Sequence, residues 1–384
     1  MALTQVSQAM GGTGTSSVAA AANTSSVAAA IAANLTNTFG FKNRIINGDM
    51  RIAQRGTSAT NPTANGYTTI DRLANWTHPS DTSSWTISQS TSAPTGFQYS
   101  ALVNATNAAY TIGATTSYNA IYQAIEGVNC ADLMWGTANA KTCTFSFWVN
   151  CSLTGTFSGY FYNNGYIYCY PFTYTIPTAN IWTYITITVP GPAGGTWLTN
   201  TGLGIEVGLT LTSGSAYQGT ANQWQTKGYA IGVANTVNVL ATSGATFYTT
   251  GWQFEVGSQA TNFDYRDYGR ELIMCQRYYE TFFGTAGAYL ITTFQAISGS
   301  NVNGGGSFKV TKRASASIAL IGNVYINGYN NGGAGTASIS ASASSVDSWG
   351  TMLTGASGLT AGNASGIYPA NASSGFAFNA EIVN

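Results

Sequence analysis

Five tyrosines, Tyr160, Tyr162, Tyr166, Tyr168 and Tyr170, flank the turn sequence Asn163-Asn164-Gly165. Asn-Gly between alternating large residues is a strong hairpin signal. The two-residue period of a strand puts Phe161 on one face and Tyr160 with Tyr162 on the other. Beyond the turn, Ile167 and Cys169 oppose Tyr166, Tyr168 and Tyr170. With Phe161, Ile167 and Cys169 turned to a core, the five tyrosines form one stripe on the opposite face. A tyrosine ring can stack on the apolar face of a sugar while its hydroxyl bonds to it. Trp148, Trp182 and Tyr184 extend the same argument by strand alternation. These eight residues are the candidate ligand contacts. A second reading stands beside the first: the stripe packs inside a trimer or under a neighbouring loop.

Catalytic chemistry has less to work with. His78 is the only histidine, and it sits beside Pro79, so a Ser-His-Asp triad, a Cys-His pair or a multi-histidine metal site would all rest on one loop residue. Glycoside cleavage needs two carboxyl groups about 5 to 10 Å apart with divergent pKa values. Glu126, Asp132, Glu206 and Glu255 are available, but no spacing pairs them, so no catalytic residue is assigned and no enzyme is expected. The run Asn303-Gly304-Gly305-Gly306 with Lys309, Lys312 and Arg313 lacks the GxxxxGK[ST] spacing of a phosphate loop and reads as a flexible strand connection. Cys130, Cys143, Cys151, Cys169 and Cys275 show no metal-ligand spacing and form an odd set, as expected of small apolar fillers made in a reducing cytoplasm. No cofactor or metal is assigned. A structural calcium ion is compatible with a sandwich, but no D-x-D-x-D-G loop supports one.

The composition narrows the partner. Only 7% of the 384 residues are charged, against about 25% in an average protein. The 13 basic and 13 acidic residues cancel, which argues against nucleic acid and for a neutral ligand. A surface so poor in charge keeps a lone chain in solution badly, so part of it is expected to be covered in an oligomer. Residues 42–72 and residues 264–280 hold much of the charge, in Lys42, Arg44, Asp49, Arg51, Arg55, Asp71 and Arg72 and in Asp264, Arg266, Asp267, Arg270, Glu271, Arg277 and Glu280. The two windows are expected to lie near one another or at interfaces, and the cluster Asp264, Arg266, Asp267, Arg270 and Glu271 is expected to fix two modules by salt bridges. No stretch reaches the roughly 18 apolar residues of a membrane span, and no basic secretory leader is evident, since the first lysine is Lys42. Membrane insertion is not expected.

The elements that must position these residues are mostly strands. Residues 1–42 are low-complexity Ala, Ser, Thr and Gly, with Thr15-Ser16-Ser17-Val18-Ala19-Ala20-Ala21 repeated from Thr24 to Ala30. They cannot make a core alone and read as an attachment or oligomerisation segment with a short intersubunit helix. Residues 43–267 alternate apolar and polar residues in short runs, as in Phe145, Phe147 and Val149 and again in Ile185, Ile187 and Val189, which predicts an all-β jelly-roll sandwich. Trp252, Phe254 and Val256 alternate with Gln253 and Glu255 as a strand with one buried face. From Tyr268 the rhythm changes: Leu272, Cys275, Tyr279 and Phe282 fall on one face of a short helix over 268–283. Residues 284–384 return to strands, with Phe308 and Val310, Ile318 and Leu320, Val324 and Ile326, and Phe376 and Phe378 as paired faces of a small second β-sandwich.

The segment Gly251–Glu280, with its strand, charged elbow and Cys275-Gln276-Arg277-Tyr278-Tyr279-Glu280, resembles the joint in a family of bacteriophage tail-fibre and related virion appendage proteins. The likeness extends to Asn43-Arg44-Ile45-Ile46-Asn47-Gly48-Asp49-Met50, to Gln123-Ala124-Ile125-Glu126-Gly127 and to Phe145-Ser146-Phe147-Trp148-Val149. It covers roughly residues 43 to 283. The resemblance implies a jelly roll of the carbohydrate-binding type on a virion assembled in the host cytoplasm. It further implies a homotrimeric fibre joined to other virion proteins through residues 1–42 and adhering to a host-surface glycan. The rival from a different class is a purely structural capsid-decorating fibre or tail adaptor, and a polysaccharide depolymerase comes third.

Overall fold

The computed structural model describes residues 42–60, 65–107, 110–283, 294–328 and 335–382. The chain divides into two units, Met1–Asn43 and Arg44–Asn384. The attachment segment expected over residues 1–42 lies outside the described residues except for Lys42. Everything below concerns the larger unit. Among the described residues no helix is long and apolar enough to cross a membrane.

Alternation of large apolar and small polar residues folds the first half into two antiparallel sheets. The first sheet orders its strands Ser58–Thr60, Trp85–Ser90, Ser100–Ala105, Thr246–Val256, Cys143–Cys151 and Thr183–Val189. The second orders Gln225–Thr226, Tyr168–Ile176, Gly155–Tyr162, Leu203–Ser213, Tyr118–Glu126, Ala74–Thr77 and Gly66–Tyr67. Sequence neighbours are often not sheet neighbours, so the chain crosses repeatedly between the layers in a jelly-roll sandwich. Phe145, Phe147, Val149, Phe247 and Trp252 from the first sheet meet Phe157, Phe161, Phe172, Val207 and Leu209 from the second in one buried core. Side chains of this size each contribute roughly 1.5–3 kcal/mol on burial, which makes this interface the main source of stability.

The Thr246–Val256 strand differs from the half-buried strand expected of it. Trp252 and Phe254 enter the core, but Gln253 and Glu255 on the other face are buried as well. Residues 261–264 fold back over them: Thr261 N donates to Glu255 Oε1 at 2.8 Å, and Asp264 N donates to Gln253 Oε1 at 2.8 Å. A single alternating strand cannot announce a loop that returns to cap its polar side.

The helix α1 spans Tyr268–Gln276, shorter than the sequence suggested. Asp267 caps it by accepting from Arg270 N at 2.9 Å, as a residue at that position should. Cys275 is fully buried, and Leu272 and Met274 pack at the edge of the same cluster. Tyr279 and Phe282, read as helical, lie in the strand Tyr279–Phe283, which pairs with Gly375–Asn379. Backbone pairing with a partner about 100 residues away overrides the local helical rhythm there.

That strand belongs to the second, smaller sandwich. A sheet of Tyr279–Phe283, Gly375–Asn379 and Ser317–Ile321 faces a seven-stranded sheet built on Asn301–Ser307 and Ser348–Thr354. Phe294, Val302, Trp349, Leu353, Phe376 and Phe378 fill the space between. Val324 and Ile326 are buried here as expected, and Ile318 and Leu320 are half-buried. Phe308 lies just past its strand, edge-on to Phe378 at 5.1 Å. The glycines Gly304 to Gly306 are not a loose connection but the interior of Asn301–Ser307, because the Phe294 ring occupies the space where a side chain on Gly304 would stand.

Candidate functional site

The two charge-rich windows meet. Arg51 donates to the Arg266 carbonyl at 2.5 Å, and Arg266 donates to the Ile45 carbonyl at 3.0 Å and to Glu271 at 3.2 Å. Glu271 in turn accepts from the Asn47 backbone N–H at 2.5 Å. The residue after Asn47 must be glycine, since a Cβ on Gly48 would lie 2.2 Å from the Trp252 carbonyl oxygen. Arg55 and Arg72 both pair with Glu381, and their guanidinium groups lie 3.6 Å above the rings of Tyr279 and Tyr278. Lys312 binds Glu280 at 2.6 Å. The charges therefore weld the sandwich, α1 and the second sandwich at one seam.

The carboxylates considered for catalysis are held in braces. Glu126, fully buried, accepts from Arg277 at 2.6 and 3.0 Å and from the Tyr278 hydroxyl at 2.7 Å. Asp132 forms a two-pronged pair with Arg44 at 2.7 and 2.8 Å. Glu206 accepts from the Tyr160 hydroxyl at 3.0 Å and the Tyr166 hydroxyl at 3.4 Å. Glu255 accepts from Gln253 and from Thr261. His78 packs edge-on against Tyr118 at 4.9 Å, and its Nδ1 accepts from Ser80 N. Among the described residues no group of three or more His, Cys, Asp or Glu side chains is placed to hold a metal ion.

All five cysteines are free and buried. Burial pushes the thiols of Cys130 and Cys143 up to about 12 and those of Cys151 and Cys169 up to about 11. Such thiols are poor nucleophiles at neutral pH.

The tyrosine stripe is divided. Tyr160 and Tyr162 do share the outer face of the second sheet, opposite Phe161. That face is a closed second core, roofed by residues 214–231, α1 and Ile46, in which Trp76, Tyr118 and Tyr122 join them. Tyr170, in contrast, points into the inter-sheet core with Phe161, while Cys169 lies beside Tyr162 on the outer face. Ile167, expected in the core, is 59% exposed. The reason is the turn. Tyr162 pairs with Cys169 and Phe161 with Tyr170, so the connection shifts the parity by one residue and turns every later side chain over. Asn163 closes this longer turn: its N–H donates to the Tyr168 carbonyl at 3.1 Å, and its Oδ1 accepts from Tyr168 N at 2.9 Å. Tyr166, at φ +54°, folds back over Trp76 with ring centroids 4.8 Å apart.

The remaining candidates fall into two accessible groups on different surfaces. Trp148 and Tyr184 are cross-strand partners on the outer face of the first sheet, 5.1 Å apart, and Trp182 packs against Tyr248 at 6.1 Å. Tyr168 lies at one end of the sandwich, stacked on Trp224 at 5.5 Å with their planes 2° apart. Trp224 is 5.5 Å from Trp197, and Trp197 is 4.9 Å from Trp135. Beside this aromatic row lies a cleft of about 550 Å³ between residues 130–139 and 195–199. The tryptophans were missed because their segments are short loops without periodicity. The available signal was a large aromatic in the Gly- and Pro-rich run Gly191–Trp197, where a turn alone does not need one.

No family model matches the sequence, and no curated protein matches it. Partial structural likeness is found to the enzymatically active domain of tailspike protein 4 from bacteriophage CBA120, at 10% identity and TM-score 0.31, over 56% of this chain and 21% of that one. The chain thus matches about a fifth of that tailspike domain's length. The family 11 carbohydrate-binding module of a Clostridium thermocellum cellulosomal cellulase overlaps 53% of this chain and 97% of its own, at 10% identity and TM-score 0.28. The CBM22-1–GH10 modules of xylanase 10B from the same organism overlap 58% and 30%, at 12% identity and TM-score 0.28. The sandwich assignment rests on the two sheets and their core.

Proposed function

We propose that the chain is a non-enzymatic bacteriophage fibre protein, a tail-fibre or receptor-binding component that adheres to a neutral host-surface glycan. Three copies form the fibre, residues 1–42 join it to other virion proteins, and assembly takes place in the host cytoplasm. The observation that carries this reading is the accessible row of Tyr168, Trp224 and Trp197 beside a cleft with no charged lining residue. Aromatic faces set in a hydroxyl- and amide-rich surround suit a neutral sugar, and several copies raise a weak single-site affinity by a factor of order 10² to 10⁴. The family resemblance of residues 43–283 supplies the virion context. The test replaces Tyr168 and Trp224 together with Ala, verifies the oligomer by sedimentation, and measures attachment to polysaccharide-coated surfaces. Unchanged attachment by an intact oligomer rules out this row as the contact.

A structural reading, a capsid-decorating fibre or tail adaptor, is favoured by the burial of Tyr160, Tyr162 and Tyr170, whose rings serve packing. It predicts a stable oligomer that binds no glycan. Depolymerase activity is separated from both by incubation with purified polysaccharide: the chain length should not change. Cleavage abolished in Glu126→Gln or Asp132→Asn would overturn the non-enzymatic assignment.

A further inference from the structure

Resting on the glycan-binding reading, we infer that the cleft between residues 130–139 and 195–199 is the primary sugar seat and takes an uncharged pyranose unit, with Trp197 as the stacking platform. The cleft, about 550 Å³, is within the range of small-ligand sites. Its apolar wall is Trp135, Met134, Trp197 and Leu198. The indole N–H groups are already used internally: Trp135 Nε1 donates to the Lys141 carbonyl at 2.8 Å and Trp197 Nε1 to the Gly194 carbonyl at 3.0 Å. The two rings are therefore fixed in place: Trp135, 6% exposed, backs the wall from the core, and the half-buried Trp197 is the ring a ligand can reach. At the rim, the Asn139 amide and the Thr196 and Thr199 hydroxyls are exposed and make no hydrogen bond within the described protein. That combination of a ring face and free neutral donors and acceptors matches a pyranose, which has an apolar C–H face and an equatorial belt of hydroxyls. It gives no counter-charge to a carboxylate, sulfate or phosphate.

Two further features mark the cleft as built. Gly136 and Gly195 adopt φ of +87° and +84°, and a Cβ on Gly136 would lie 2.8 Å from both the Gly195 carbonyl oxygen and Trp197 Cδ1. The two loops can approach this closely only without those side chains. Met134, a bulky residue, also has φ +53°. This backbone turn sets a flexible thioether at the mouth of the cleft.

The experiment uses the full chain on an array of neutral hexose and N-acetylhexosamine oligosaccharides, with sialylated glycans and heparin as charged probes, followed by titration of any positive glycan. The wild type is expected to bind neutral glycans only. Trp197→Ala should weaken binding at least tenfold, and Asn139→Ala should change which glycans are preferred. Should Trp197→Ala fail to fold, Thr199→Trp decides: it adds a ring at an exposed rim position, should leave thermal unfolding unchanged and should block binding. Wild-type binding that persists at full strength in folded Trp197→Ala and Thr199→Trp overturns the cleft assignment and leaves the glycan reading intact. Folded wild type that binds no neutral glycan, or only charged ones, overturns both.

Discussion

Arg277 reaches across 151 residues of sequence to hold Glu126 with two hydrogen bonds of 2.6 and 3.0 Å. The pair is asymmetric: Glu126 is fully buried, whereas the Arg277 side chain is 30% exposed. The hydrogen bonds Arg277 donates to Glu126 raise its pKa, consistent with a guanidinium held in its charged form.

The asymmetry predicts unequal mutant effects. Arg277→Ala strands a buried carboxylate and should cost about 3–5 kcal/mol. Glu126→Gln leaves an arginine that still reaches water and should cost clearly less. Urea unfolding of the two variants checks the order, and equal losses would contradict the burial argument.

The two kinds of tyrosine should separate experimentally. Tyr162→Ala opens a cavity under the 214–231 roof and should cost about 3–5 kcal/mol, as large aromatic truncations in cores do. Tyr168→Ala, at a half-exposed ring, should leave the melting temperature within a few degrees. Differential scanning calorimetry distinguishes them.

Acid should act on Asp71 in an unusual direction. Burial raises its folded pKa above the ordinary 3.8, outweighing the lowering by Arg55. The folded state then binds its proton more tightly than the unfolded state does. The associated stability is fully present below the unfolded pKa and is lost as pH rises through the folded value. Comparing wild type with Asp71→Asn by urea titration across mildly acidic pH, the wild type should gain relative to the variant as pH falls. A relative loss would reverse the sign.

The thiols should be silent. With all five buried and four raised to about 11 or 12, native protein at pH 8 should not react with a maleimide over minutes. Denatured protein should titrate five.

The sandwich and its core were readable because Phe145, Phe147, Val149 and their counterparts alternate without interruption, and period two has one structural meaning. The neighbouring charge windows were readable because few other charges exist to confuse them. The faces of Tyr166, Tyr168 and Tyr170 were not readable, because they depend on how many residues Asn163 draws into the turn. The length of α1 was obscured for a related reason: Tyr279 and Phe282 fit a helix locally and a strand globally, and the partner that decides is Phe376–Asn379. The cleft was hidden altogether, since residues 130–139 and 195–199 meet only after the fold is complete.

Arg44 grips Asp132 through both of its terminal nitrogens and also donates to the Asn129 carbonyl at 3.0 Å. Asp132 belongs to the same short segment that walls the cleft. Under the proposed glycan binding, a pull on a sugar seated in the cleft would reach residues 130–139 first, and this charge-assisted clamp would share it with the strands Tyr118–Glu126 and Cys143–Cys151 on either side of that segment. Arg44 N also donates to the Phe254 carbonyl at 2.9 Å, which ties the clamp to the first sheet. The cleft wall is thereby braced twice, along the chain and across it.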